Sequence, residues 1–268
     1  MTLSLGWFST GRGPGSRGLF RFVQNAITSG DLDASMDFVF CNRESEEAQG
    51  SDKFIALVQR HQVPLVTLSS RRFRREHRGD AASSRLAFDH QAMDLIKEFR
   101  PDICILAGYM LIVGPEMCRQ YTMLNLHPAL PDGPTGAWQD VIWTLIETQA
   151  RETGAMIHLA VDEVDRGPVV SYFTLPLQTP AYSPEWSAIQ GRSLRELRDA
   201  PGEKLPLFKR IREDEYRREP HLLAQTLKAL VRGAIVIRDH QVFDGKGLNL
   251  EGLCLNQPIE DALRTEAS

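Results

Sequence analysis

Short apolar runs alternate with stretches of helical spacing through the first two-thirds of the chain. Residues 3–8 read as a strand, a glycine-rich turn follows, and residues 16–29 have the spacing of a helix. Residues 36–41 and 64–68 read as further strands, with a helical stretch at 52–61 between them. Residues 87–99 place Ala92, Leu95, Ile96 and Phe99 on one helical face, and Pro101 stops the pattern. Residues 103–107, 123–126, 155–161 and 169–175 read as strands, with a helix at 138–148. Continuous apolar strands are buried on both faces. Their alternation with helices predicts an α/β fold, a Rossmann-like, mostly parallel sheet with helices on both faces.

After residue 177 the pattern changes. Residues 179–186 are rich in Pro, Ser and aromatics, and residues 193–218 are dense in charge and carry Pro201 and Pro206. We read about 178–218 as an insertion, partly helical, in a single domain spanning 1–268. Residues 220–231 resume a helical pattern with Leu222, Leu223, Leu227 and Leu230 on one side. Residues 233–243, broken at Arg238-Asp239-His240, predict a β-hairpin, and the polar tail after residue 259 is expected to fray.

Composition narrows the class. Hydrophobic residues are 42% and charged residues 25% of the 268, as in soluble globular proteins, which excludes a collagen-like or wholly disordered chain. A net charge of −4 argues against a protein that coats nucleic acid. The apolar stretch at 103–113 is interrupted and too short to span a bilayer. The N-terminus lacks a basic segment followed by a long apolar one. The expectation is a cytoplasmic protein, a monomer or homodimer, with small-molecule substrates and neither a membrane nor a nucleic-acid partner. Cys41, Cys104, Cys118 and Cys254 show no CxxC, so neither a disulfide framework nor a zinc ribbon is read.

Three segments carry candidate chemistry. Gly11-Arg12-Gly13-Pro14-Gly15-Ser16-Arg17-Gly18 follows the first strand and opens a helix. Backbone N–H groups and the helix dipole at such a turn favour an anion, and arginines add charge-assisted contacts. The alternative is a tight turn that binds nothing. Leu124-Asn125-Leu126-His127-Pro128 ends a strand, with Asn125 and His127 two apart and so on the same side. An amide donor beside an imidazole can stabilise an oxyanion and move a proton. His158 begins the third segment, and Asp162, Glu163 and Asp165 cluster just past the strand, where ligands of open α/β sheets gather. Nothing in this spacing demands a metal. A nicotinamide-dependent oxidoreductase would want an acid after the second strand, where Asn42 and Arg43 stand instead; Arg43 would suit a 2′-phosphate, which keeps an NADP-dependent enzyme as the alternative from another class.

Taken together and in order, these segments, with Ile105-Leu106-Ala107-Gly108-Tyr109-Met110 between the first two, resemble the folate-dependent formyltransferase family. The similarity is strongest to the branch acting on glycinamide ribonucleotide in purine biosynthesis. The resemblance implies 10-formyltetrahydrofolate as co-substrate and no metal. It implies that Asn125, His127 and Asp165 are catalytic, supported by His158. It places the substrate phosphate and ribose at Gly11, Arg12, Gly13, Gly15, Ser16, Arg17 and Glu219. It places the folate against Tyr109, Met110, Leu111, Ile112, Val113, Val161, Asp162, Glu163 and Val164. Asp165 is expected to raise the His127 pKa, so that a protonated imidazole meets the formyl oxygen. Leu111, Ala137 and Met156 stand where relatives have Arg, His and Ser, and residues 178–218 have no counterpart in the compact family form. A different amine acceptor, or hydrolysis of the formyl folate, is the alternative. The hydrolase is expected to carry an added N-terminal regulatory domain.

Overall fold

A computed structural model describes residues 2–77 and 80–267. The elements run β1 (Leu3–Ser9), α1 (Pro14–Thr28), β2 (Ala34–Cys41), α2 (Gln49–Arg60), β3 (Leu65–Thr67), α3 (Ser70–Glu76) and α4 (Ala81–Ile96). Then come β4 (Ile103–Leu106), α5 (Pro115–Gln120), β5 (Met123–His127), α6 (Trp138–Glu147), β6 (Glu152–Leu159) and β7 (Val169–Pro176). The last third holds α7 (Ser183–Ser187), α8 (Leu194–Asp199), α9 (Pro206–Val231), β8 (Ile235–Arg238), β9 (Gln241–Asp244), β10 (Leu253–Cys254) and α10 (Asn256–Ala267).

Eight strands form one sheet in the order β10-β7-β6-β5-β4-β1-β2-β3. It is parallel from β3 to β5; β6 runs antiparallel to both β5 and β7, and β10 is parallel to β7. Successive side chains of a strand point to opposite faces. Leu5 and Trp7 of β1, Val39 and Cys41 of β2, and Ile103 and Ile105 of β4 enter one core, with Phe20, Phe54, Leu222 and Leu227 from α1, α2 and α9. Phe8, Phe38, Phe40, Cys104 and Leu106 enter the other, with Phe73, Phe88, Ala92 and Met117 from α3, α4 and α5. Both faces are therefore apolar, which is why the strands read as unbroken hydrophobic runs.

Several boundaries differ from the sequence pattern. Leu95 is exposed rather than on the inner face of α4; Met93 is buried in its place. The late helix begins at Pro206, not residue 220, and runs through Pro220. Proline removes one helical N–H, but packing of Leu207, Phe208, Ile211, Leu222 and Leu223 on either side of it holds the helix together. The tail does not fray: α10 forms, with Ile259 and Leu263 buried against the core. The segment 178–218 folds as α7, α8 and the first half of α9, and Leu197, Leu207, Phe208 and Ile211 pack on Val141, Trp143 and Leu145 of α6. The hairpin β8–β9 turns at Asp239 and His240, both with positive φ (48° and 57°), which matches the twist of the two strands.

Glu215 of α9 is fully buried and accepts a hydrogen bond from Thr153 Oγ1 at 2.6 Å, while its Oε2 has no partner. Burial pushes its carboxyl up to about 8, so it is protonated at neutral pH. An acid raised on folding stabilises fully below its unfolded value and loses that contribution as pH rises through the folded one. Denaturant unfolding should show stability falling between about pH 4.5 and about 8, and Glu215→Gln should flatten that slope.

Candidate active site

The strand order reverses between β1 and β4, and the crevice at the carboxyl ends of these strands is where open α/β sheets bind ligands. Two loops meet there. Thr10 N–H donates to Gly108 O at 3.1 Å, and Met110 N–H donates to Thr10 Oγ1 at 2.9 Å. Gly11 has φ of +63°, and a Cβ there would lie 2.5 Å from Phe54 Cβ. Left-handed backbone without room for a methyl requires glycine. Gly11→Ala is expected to cost about 1–3 kcal/mol in chemical denaturation.

Helix α1 starts at Pro14, earlier than the spacing suggested, and its N-cap Gly13 offers no side-chain cap. The first-turn N–H groups of Gly15 and Ser16 thus remain suited to an anion. Arg12 is exposed at the loop tip. The Arg17 guanidinium turns away, donating to Gly11 O at 3.5 Å and Gly50 O at 3.2 Å, so it fastens the loop to α2. Glu219, expected at a helix start, lies within α9, nearly buried, and its carboxylate is held by Arg212.

β5 carries Asn125 and His127, and antiparallel pairing sets Asn125 opposite His158 of β6. Asp165 sits in the following loop with φ of +57°, a left-handed turn that aspartate tolerates. Asn125 Nδ2 donates to Asp165 Oδ1 at 3.2 Å, and lies 3.1 Å from His158 Nε2. His158 Nδ1 is 2.9 Å from Leu159 O, an acceptor that requires an Nδ1–H. In the neutral ring Nε2 then carries the lone pair that receives the second Asn125 hydrogen. His127 Nδ1 is 3.4 Å from Asp165 Oδ2, and its Nε2 donates to Pro134 O at 2.8 Å. Gly136 N–H donates to Asp165 Oδ2 at 3.2 Å.

The electrostatics correct one expectation. Burial lowers the His127 pKa, and this outweighs the opposite pull of Pro134 O and Asp165. Burial alone would raise Asp165, but His158, whose Nε2 lies 3.5 Å from Oδ1, the neighbouring His127 and the Gly136 N–H hold it below the usual carboxylate range. At neutral pH the pair is a neutral imidazole and a carboxylate, two acceptors with a place for one proton between them.

A cleft of about 280 Å³ opens beside this cluster. Tyr109, Met110, Leu111, Ile112 and Val113 line it from the loop after β4; Ala160, Val161, Glu163 and Val164 line it from the loop after β6; Leu106, Asn125, His158, Asp165, Gly136 and Ala137 complete it. Asp162 and His127 are not on this lining; His127 lies behind Asp165, 3% exposed. Met110 (63% exposed), Ile112 (49%) and Val164 (46%) leave large apolar side chains open at the rim, which marks a surface for a flat apolar ligand. Tyr109 lends its ring, while its hydroxyl is buried without a partner. A larger cavity of about 440 Å³ lies between α6 and the 186–197 segment and contains none of these groups. Among the described residues no group of three or more His, Cys, Asp or Glu could hold a metal.

Sequence reasoning missed the roles of Thr10, Pro134 and Gly136. The signal for the last two was the Pro131-Asp132-Gly133-Pro134-Thr135-Gly136 run, legible as turns but silent on what their backbones touch.

The chain belongs to the formyl transferase family, whose model matches residues 15–183. It is 35% identical over 101 residues to the phosphoribosylglycinamide formyltransferase of Saccharomyces cerevisiae, an overlap of 35% of this chain and 47% of that protein. The chain thus spans about half the length of that relative. Its similarity to the enzyme of the same name from Haemophilus influenzae is 26% over 233 residues, covering 86% of this chain and 90% of that one. In fold it resembles the phosphoribosylglycinamide formyltransferase of Coxiella burnetii, with TM-score 0.66, 20% identity and coverage of 95% and 99%. It also resembles a formyltetrahydrofolate deformylase from Pseudomonas syringae, with TM-score 0.62, 17% identity and coverage of 91% and 66%.

Proposed function

We propose that this chain transfers the formyl group of 10-formyltetrahydrofolate to the amine of glycinamide ribonucleotide, a step of purine biosynthesis. The observation that carries the reading is the cluster of Asn125, His127 and Asp165, each within 3.4 Å of the next through Asp165, at the head of an apolar cleft. The folate ring system occupies the cleft lined by residues 109–113 and by Val161, Glu163 and Val164. The ribonucleotide phosphate meets the N–H groups of Gly13, Gly15 and Ser16, and Glu219 lies on the ribose side.

The amine attacks the formyl carbon, and a carbon–nitrogen bond forms as charge moves to the formyl oxygen. Asn125 exchanges one of its present hydrogen bonds for that oxygen, the logic of an oxyanion hole. The amine proton passes, through water, to the empty position between His127 Nδ1 and Asp165 Oδ2. Imidazolium then lies against carboxylate. The folate nitrogen takes that proton as its bond to carbon breaks. His158 fixes Asn125.

The deformylase in the structural neighbourhood favours a second reading, with water in place of the amine. Loss of 10-formyltetrahydrofolate, followed with and without each of a panel of amines, separates the two. We expect turnover that depends on glycinamide ribonucleotide. Equal turnover with no amine favours the hydrolase, and turnover only with another amine overturns the acceptor.

A further inference from the structure

Helix α9 presents Arg212, Tyr216 and Glu219 at helical spacing. The Tyr216 ring lies against the first turns of α1: a Cβ added at Gly15 would meet its Cε2 at 3.3 Å, and one at Gly18 its hydroxyl at 3.5 Å. The Arg212 guanidinium stacks 5.0 Å from the Tyr216 ring centroid and 4.9 Å from that of Trp138. It also grips both Glu219 oxygens, Nη1 on Oε1 and Nη2 on Oε2 at 3.4 Å. Glu219 is 7% and Arg212 22% exposed, so neither ion is compensated chiefly by water.

Trp138 opens α6 immediately after Ala137. Just before it lie the two backbone groups that hold the reaction centre, Pro134 O on His127 and Gly136 N–H on Asp165. Contacts therefore link Glu219 through Arg212 to Trp138, and the backbone links Trp138 to the Pro134 and Gly136 groups that meet His127 and Asp165. Only arginine fits its middle: the planar fork takes two carboxylate oxygens while its faces stack on rings, which an ammonium cannot reproduce.

We propose that Arg212 is a positioning residue by which the 178–218 segment reaches the reaction. It orients the Glu219 carboxylate, one turn along α9 from the Tyr216 that packs on the first turns of α1. It also pins Trp138, and with it the 134–137 loop that grips His127 and Asp165. The substrate side of this inference rests on the formyl-transfer reading; the loop side does not.

The test uses the full chain with Arg212→Met, Arg212→Lys, Glu219→Gln and the Arg212→Met/Glu219→Gln double variant. Amide hydrogen exchange is read at Gly136, and kinetics are read for acceptor and folate separately. Arg212→Met should speed Gly136 exchange and raise the acceptor KM by about ten- to hundredfold, the loss of one charge-assisted pair. Arg212→Lys should not rescue either effect. Because Arg212 acts through Glu219, the double variant should have the acceptor KM of the worse single variant rather than the product of both effects. Unchanged Gly136 exchange in folded Arg212→Met, or full rescue by Arg212→Lys, overturns the proposal. If the wild-type chain formylates no amine, the functional reading fails, while the exchange result still decides the role of Arg212.

Discussion

Asp165→Asn is expected to lower kcat by about 10²–10⁴-fold, the usual worth of a positioned proton-transfer group, with folate binding changed only a few-fold. The reason lies in what each carboxylate oxygen does. Oδ1 accepts from Asn125 Nδ2, and Oδ2 accepts from Gly136 N–H. An amide has one oxygen and one NH₂, so either orientation sets a donor against a donor. The charge that would stabilise a protonated His127 is also gone. Asp165 raises the His127 pKa against burial, so any remaining acid limb of the rate profile should move to lower pH. On the proposed mechanism that limb in the unaltered chain should lie below the ordinary histidine range, because burial lowers the pKa of the ring that takes the proton. A kcat within tenfold of the unaltered chain removes Asp165 from the reaction.

Asn125→Ala should lower kcat by about 10²–10³-fold, as expected for one oxyanion donor. Acceptor and folate KM should change little, because the interaction strengthens only as charge develops. The substitution also strips a donor from His158 Nε2 and Asp165 Oδ1, at about 1–3 kcal/mol of stability. Kinetics must therefore be read at a temperature where thermal unfolding shows the variant folded. A raised KM with intact kcat would make Asn125 a binding group and nothing more.

The parallel strands were legible because burial on both faces leaves no polar position, as at residues 38–41 and 103–106. The two segments that hold Asn125 with His127 and His158 with Asp165 stood out as candidates by their residue types and order, and the antiparallel pairing of Asn125 with His158 is what brings them together. The sign of the His127 shift was not legible. It depends on how deeply the fold buries the ring, which no local pattern reports. Pro220 suggested a boundary because local propensity disfavours proline inside a helix; packing from α6 and the sheet overrides that preference. Arg212 looked like one charge among many in 193–218, since its partners Trp138 and Glu219 meet it only through the fold.

The central claim is that the cleft passes a formyl carbon from folate to an amine. The direct measurement supplies 10-formyltetrahydrofolate with an isotopically labelled formyl group, together with glycinamide ribonucleotide, and finds the label by mass spectrometry. The account predicts label in a new amide on the ribonucleotide; label recovered as free formate, with the amine unmodified, would contradict it.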